Sequence, residues 1–211
     1  MADTRRISIT EALKELKLYD QKITKAISSA SFIGAKKKSD DKVGAFKAET
    51  FIKNAKSGYQ SVTDLIMNRA KIKAAVVQSN AVTKVEIAGE TYTVAEAIER
   101  KSSIQYDKYL LTGMKSAWKA ATDKVARENA RVDLQVDKML ETFLGKDSDK
   151  KVSESDLSAI SDPYREKNEM ELVDPLDLYS KITELEDRID AFEADVDVRL
   201  SISNSVTYIE V

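Results

Sequence analysis

The chain has 211 residues, 42% hydrophobic and 33% charged, with six Gly and two Pro; that is enough for a core without staples and too few breakers for a turn-rich β fold. Cys and His are both absent, which excludes disulfides, thiol chemistry, imidazole metal sites and every Ser-His or Cys-His nucleophile system. The net charge of −2 gives no global attraction to nucleic acid or an anionic membrane, and no apolar run reaches membrane-spanning length, so neither is expected as a partner.

The N-terminal segment "MADTRRISITEALKELK" has no apolar signal core, and an unprocessed soluble cytoplasmic protein is expected. Alternation from Ile7 to Ile9 gives way to a first helix capped by Ser8 or Thr10, with Leu13, Leu16, Ile23 and Ile27 on one face. It fades in "SSASFIGAKKKSDDKVG", where Lys36 to Lys42 reads as a mobile loop. A second helix is predicted from about Ala45 to Ser79, with Phe51, Ile52, Ala55, Tyr59, Val62, Ile66 and Ala70 as its apolar stripe. At about 83–94 the period changes. Val85 and Ile87, then Tyr92 and Val94, alternate with polar residues around a turn in which Gly89 takes a positive φ at little cost, so a β-hairpin is predicted.

From Ala95 to about Leu144 only Gly113 interrupts the helical pattern. A helix of roughly 50 residues would be about 75 Å long, too long to be buried along its length in one small domain. It must bend, break or pack against a second subunit. Residues 145–173 are polar and irregular, with Ser153 or Ser155 capping one short helix. The last helix is expected to start near Pro175 after the cap Asp174. In it Ile182, Leu185, Ile189, Phe192 and Val196 form a coiled-coil-like seam. The tail "SNSVTYIEV" reads as a strand; with the Ile7–Ile9 segment it is predicted to extend the hairpin into a small sheet, since an isolated hairpin is marginal in water. There is also an internal echo between "SITEALKELK" and "YTVAEAIERK".

The predicted fold is therefore mainly α: one helical domain over residues 1–211, made of long antiparallel helices in a coiled-coil-like bundle, with one hairpin and a small sheet. A homo-oligomer is expected, because the long helix and the seam offer more apolar surface than one small bundle covers.

The run "VVQSNAVTKVEIAGETYTVAEAIERKSSI" resembles a family of small bacterial proteins called septicolysin-like. The family's Ile-Asn-Arg-Thr-Asn pattern falls on Val76, Val77, Gln78, Ser79 and Asn80, and its Thr-x-x-Glu-Ala-Leu helix start on Thr93, Glu96, Ala97 and Ile98. Val77 and Gln78 depart from the pattern. "YREKNEMELVDPLDLYSKI" is similar to the family's basic-aromatic loop, and "VRLSISNSVTYIEV" to its terminal segment, with Asn204 aligned and Ser205 in place of Trp. The resemblance implies a helical fold with a hairpin and no particular activity.

Four groups of residues carry candidate chemistry. On the long helix Lys101, Lys108 and Lys115 recur every seven residues beside Arg100, with Lys124, Arg127 and Arg131 further on and Trp118 between Lys115 and Lys119. Such a set can stack a base and hold a phosphate, or it can be a solvated face with intrahelical partners such as Asp123 and Glu128. Tyr164, Arg165 and Lys167 fall in a polar stretch read as a loop, where Arg165 can grip a phosphate or carboxylate with two prongs. Glu186, Asp190, Glu193 and Asp197 have the spacing of a carboxylate metal site, but the missing His and the adjacent seam favour a packing helix, so no metal and no cofactor are expected. Lys36 to Lys42 is the fourth.

With no catalytic set, the expectation is a non-enzymatic oligomer that captures a small anionic ligand, such as a signalling nucleotide in a phage or bacterial immune-evasion setting. Its ligand residues would be Arg100, Lys108, Lys115, Trp118, Tyr164, Arg165 and Lys167. The competing expectation is a helical interaction module with no small-molecule ligand.

Overall fold

The computed structural model describes residues 5–146 and 153–211; residues 1–4, and the 147–152 part of the polar stretch, lie outside the described residues. Among the described residues the fold is mainly α, as predicted. The elements run β1 (Arg6–Ser8), α1 (Ile9–Ser29), β2 (Lys42–Val43), β3 (Phe46–Lys47), α2 (Ala48–Val82), β4 (Lys84–Ile87), β5 (Glu90–Thr93), α3 (Val94–Lys146), α4 (Glu154–Asn168), α5 (Leu178–Val206) and β6 (Tyr208–Glu210). Contacts divide the chain into two compact units. One holds the residues up to Ser102 together with Ala191–Val211, and the other holds Ser103–Asp190.

In the first unit α1 and α2 run antiparallel: Asp20 pairs with Arg69, and Ala30 lies beside Gly58. Their core joins Ile7, Ile9, Ala12, Leu16, Ile72, Val76 and Ile209. The predicted stripes are displaced. Of the seven residues expected on α2 only Val62 is buried, while Ile52, Tyr59 and Ile66 face solvent, and on α1 Leu13 and Ile27 are exposed. The burial follows Ile72 and Val76 instead, because these meet the strands at the end of the helix pair.

The predicted hairpin forms as β4 and β5, with Val85 opposite Tyr92 and Ala88 and Gly89 at positive φ in the turn. The terminal segments do not extend it. They pair with each other, β1 antiparallel to β6, with Arg6 opposite Glu210 and Ile7 opposite Ile209. A repeat explains why. "SNAVTKVEI" (residues 79–87) ends α2 and forms β4; "SNSVTYIEV" (residues 203–211) ends α5 and forms β6. The same bonds recur at both places. Thr83 N–H donates to Ser79 C=O and Val94 N–H to Thr83 C=O, at 2.9 Å each. Thr207 N–H donates to Ser203 C=O at 3.0 Å and Ile9 N–H to Thr207 C=O at 2.9 Å. Each strand thus returns to its own helix start, and neither pair needs the other's edge. A third pair, β2 with β3, occupies the connection expected to be a mobile loop, with Gly44 at φ +57° in its turn.

The echo seen in the sequence is a pair of capping boxes. Ser8 Oγ accepts from Glu11 N–H, and the Glu11 carboxylate accepts from Ser8 N–H at 2.8 Å. Thr93 and Glu96 do the same, the Thr93 N–H donating to Glu96 at 2.7 Å. The Ser8 and Thr93 backbone bonds, joined by their hydroxyls, hold both carboxyls below the ordinary glutamate range. A depressed folded-state value adds stability that is complete above the unfolded value and lost as the pH falls through the folded one. Ser8→Ala is therefore expected to cost about 0.5–2 kcal/mol at neutral pH and to flatten the acid limb of melting temperature against pH, followed by circular dichroism. An unchanged acid limb would mean that the Ser8 hydroxyl adds no linkage beyond the Ser8 N–H bond to Glu11, which the alanine keeps.

In the second unit α3 and α5 run antiparallel, with Lys115 paired to Glu186 and Trp118 against Tyr179. The α5 seam is as predicted: Ile182, Leu185, Ile189, Phe192 and Val196 are all buried, the last two in the first unit. Helix α5 starts at Leu178 rather than at Pro175, which lies in a preceding turn. Asp177 therefore stands immediately before the helix, at φ 52°, and Asp174, the expected cap, reaches across the turn to accept from Leu178 N–H at 2.8 Å. Among the described residues no helix is long and apolar enough to cross a membrane.

Candidate functional site

Tyr164, Arg165 and Lys167 are not in a loop. They lie in the last turns of α4, which starts at a capping box of Ser153 with Asp156. The Arg165 guanidinium is already gripped, Nη1 lying 2.6 Å from both Asp133 Oδ1 on α3 and Glu169 Oε1. Its hydrogen bonds to Glu169 and Asp133 raise its pKa further. The segment that follows is fastened too. Asn129 Nδ2 donates to Met170 C=O at 2.9 Å, and Met170 N–H returns a bond to Asn129 Oδ1 at 2.8 Å. An arginine held by two carboxylates on two elements reads as a clasp between α4 and α3. To take a ligand it would first have to leave both.

Three basic residues of this part of α3 show the same pattern. Lys115 pairs with Glu186, Lys119 with Asp123 at 3.0 Å and Arg131 with Glu128 at 2.9 Å. Trp118 is half-buried against Tyr179, ring centroids 5.7 Å apart and tilted by 46°. Lys108 is exposed on the same helix. Arg100 lies in the first unit, over the Phe192 ring at 5.6 Å, with neighbouring Lys101 paired to Asp197 at 2.5 Å. Four of the seven thus have separate partners: Lys115 and Arg165 hold carboxylates, while Arg100 and Trp118 lie against aromatic rings. An open cleft of about 400 Å³ in the second unit is lined by Gln135, Lys138, Met139, Thr142, Phe143 and Ile160, none of them among the seven.

Several acidic residues of α5 are likewise engaged. Glu186 and Asp197 take lysines, and Asp195 accepts from Ala88 N–H in the β4–β5 turn at 3.1 Å and from Arg199. The Ala88 bond is the main reason that the Asp195 carboxyl titrates low. Among the described residues no group of three or more acidic side chains is placed to hold a metal ion.

Two features escaped the sequence reading. In the first unit a cleft of about 450 Å³ lies where the two echoed helix starts meet, between Leu13, Lys14 and Lys17 of α1, Ile98 of α3 and Leu200 and Asn204 of α5. The pairing of "EALK" with "EAIE" was the signal available for it. In the second unit α3 presents Tyr106, Tyr109, Leu110, Gly113, Ala117 and Ala120 to solvent, on the side away from Ile104 and Trp118. Tyr106, Tyr109 and Leu110 are 66%, 68% and 56% exposed, and nothing lies within 4 Å of a Cβ built on Gly113. The spacing of three and four was legible, but periodicity cannot say which of two faces is covered. Comparison with protein-family models, with curated proteins and with solved structures returned no match.

Proposed function

We propose that the protein is a non-enzymatic helical interaction module that associates with a second copy of itself through α3. The observation that carries this reading is the exposed Tyr106–Tyr109–Leu110–Gly113–Ala117 stripe. Large apolar side chains flank small ones at helical spacing, so that a like helix can approach closely with its own tyrosines covering the partner's Gly and Ala positions. A stripe of this kind is self-complementary, as a two-fold contact requires. Long helices and a clasped α4 suit a scaffold. Capture of a small anion, the reading first favoured by the sequence, has less support, because it leaned on a Tyr164–Arg165 loop that is a helix and on cations of which Lys115 and Arg165 already hold carboxylates of the same chain.

Light scattering after size exclusion, over a range of concentrations, tests the proposal. The parent chain is expected to be dimeric or larger, and Leu110→Glu and Ala117→Glu are each expected to weaken association at least about tenfold, roughly 1.4 kcal/mol. Both positions are exposed, so the melting temperature of the isolated chain should hold. A parent chain that stays monomeric at high concentration, or assembly indifferent to both substitutions, rejects it. A nucleotide that raises the melting temperature of the parent but not of Arg165→Ala would restore ligand capture.

A further inference from the structure

In the α1–α2 connection and the first turns of α2, lysines gather beside few carboxylates. In the β1–β6 pair Arg6 stands opposite Glu210, whereas in β2–β3 Lys42 stands opposite Lys47. Like charges directly opposed across a strand pair are destabilising. Residues 30–58 hold seven lysines against Asp40, Asp41 and Glu49. Among the described residues Lys37, Lys38, Lys42, Lys47, Lys53 and Lys56 have no ion-pair partner, and all six are exposed.

The same connection displays apolar side chains. Ile33 is 89% exposed, Phe46 52% and Phe32 47%. This exposure is built in. Gly34 sits so close to Val43 that a Cβ there would collide with its Cγ1, and would lie 2.9 Å from Phe51 Cζ. The backbone is thereby pressed onto β2 and α2, and its neighbour Ile33 points out. Asp40 N–H donates to Lys37 C=O at 3.0 Å, Ala48 N–H to Asp41 C=O at 2.8 Å, and Lys36 Nζ to Asp40 C=O at 2.7 Å, which fix the turn between.

We infer that this tip docks on the surface of a bilayer containing anionic phospholipid. Lysine ammoniums take headgroup phosphates as point charges, while Ile33, Phe32 and Phe46 enter the boundary between headgroups and acyl chains. The surface goes beyond self-association through α3 and involves other residues. It also goes beyond the sequence expectation of no membrane partner, because interfacial docking needs no spanning helix. The net charge of −2 does not oppose it, since screening confines each charge to within about 8–10 Å at ordinary salt. Nucleic acid fits less well. Residues 30–58 contain no Arg, Tyr or Trp, and Ile33 has no ring face to offer a base.

Sedimentation of the full chain with vesicles tests this. With phosphatidylcholine and phosphatidylglycerol at about 70:30, recovery is expected at least about tenfold above that with phosphatidylcholine alone, falling as salt is raised. Lys42→Glu with Lys47→Glu is expected to abolish it, and so is Ile33→Asp, which leaves every lysine in place. Circular dichroism checks that each variant folds. Should the double glutamate variant not fold, Lys37→Gln with Lys38→Gln, in the exposed turn, is expected to reduce recovery at least about threefold, in line with losing two surface lysines. Equal recovery with uncharged vesicles, no recovery at all, or recovery unaffected by Ile33→Asp overturns the inference. So does complete displacement by a single-stranded oligonucleotide, which would reassign the lysines to nucleic acid.

Discussion

Phe192→Ala is expected to destabilise the first unit by about 3–5 kcal/mol, the range for emptying a buried aromatic site. The ring is 3% exposed and occupies the α5 seam one turn before Val196, which is 2% exposed. It meets Tyr92 of β5 edge-on, with centroids 5.9 Å apart and planes at 73°, and carries the Arg100 guanidinium at 5.6 Å. One side chain therefore holds together the hairpin, the start of α3 and α5. Its loss opens a cavity and removes an edge-to-face contact and a cation–π contact, each worth roughly 0.5–1.5 kcal/mol at such sites. Phe192→Leu keeps the apolar volume and is expected to cost less than half as much. Urea unfolding followed by circular dichroism gives both values. A cost below about 1 kcal/mol for the alanine variant would mean that the neighbours close over the site and that Phe192 is not the joint between these elements.

Much of this joint was legible. The 3-4 rhythm from Ile182 to Val196 names its buried residues without error, because a heptad seam must be covered wherever it lies. The hairpin was legible for a similar reason: Gly89 between two alternating runs admits few other structures. The strand partners were not. Ile7–Ile9 and Tyr208–Val211 read as strands, but a short strand's pattern does not name the edge it joins. That information lay in the matched "SNAVTKVEI" and "SNSVTYIEV", each of which binds a strand to the helix start facing it. The α2 stripe failed because Ile52, Tyr59 and Ile66 are as apolar as Ile72 and Val76; only the strands at one end decide which are covered. How the candidate ligand residues are engaged was not legible for a different reason. A lysine or arginine has the same letter whether it faces water, a ligand or a carboxylate some seventy residues away, as Lys115 faces Glu186. The tip was half visible. Its lysines were plain in "KKKSDDK", but the pairing of Lys42 with Lys47 needed the β2–β3 register.

Removing Thr207–Val211 is expected to unfold the α1–α2 core, whereas joining Val211 to Arg5 is not, and together the two changes test the repeat. The deletion takes Ile209, 7% exposed, out of the cluster formed by Ile7, Ile9, Ala12, Leu16, Ile72 and Val76. Emptying such a position costs about 2–5 kcal/mol. It also strips acceptors from Arg5 N–H and Ile9 N–H, which bond Val211 C=O and Thr207 C=O at 2.9 Å each. Orphaning the donor of buried Ile9 costs about 1–3 kcal/mol, whereas water can reach exposed Arg5. The sum approaches the 5–15 kcal/mol that holds a whole domain together. In the repeat, Val211 and Arg5 stand where Ile87 and Glu90 stand in the hairpin, and there Ala88 and Gly89 bridge the gap. A chain joined Val211-Ala-Gly-Arg5, and opened between Ala88 and Gly89, exchanges one covalent turn for the other while keeping both strand pairs. It is expected to unfold within about 1 kcal/mol of the parent, as permutation at an exposed turn commonly allows. If the permuted chain collapses while the parent is stable, the two strand pairs are not equivalent. The correspondence of Ser79–Ile87 with Ser203–Val211 would then be a likeness of letters, with the Ala88–Gly89 turn carrying a role in folding that β1 and β6 do not share.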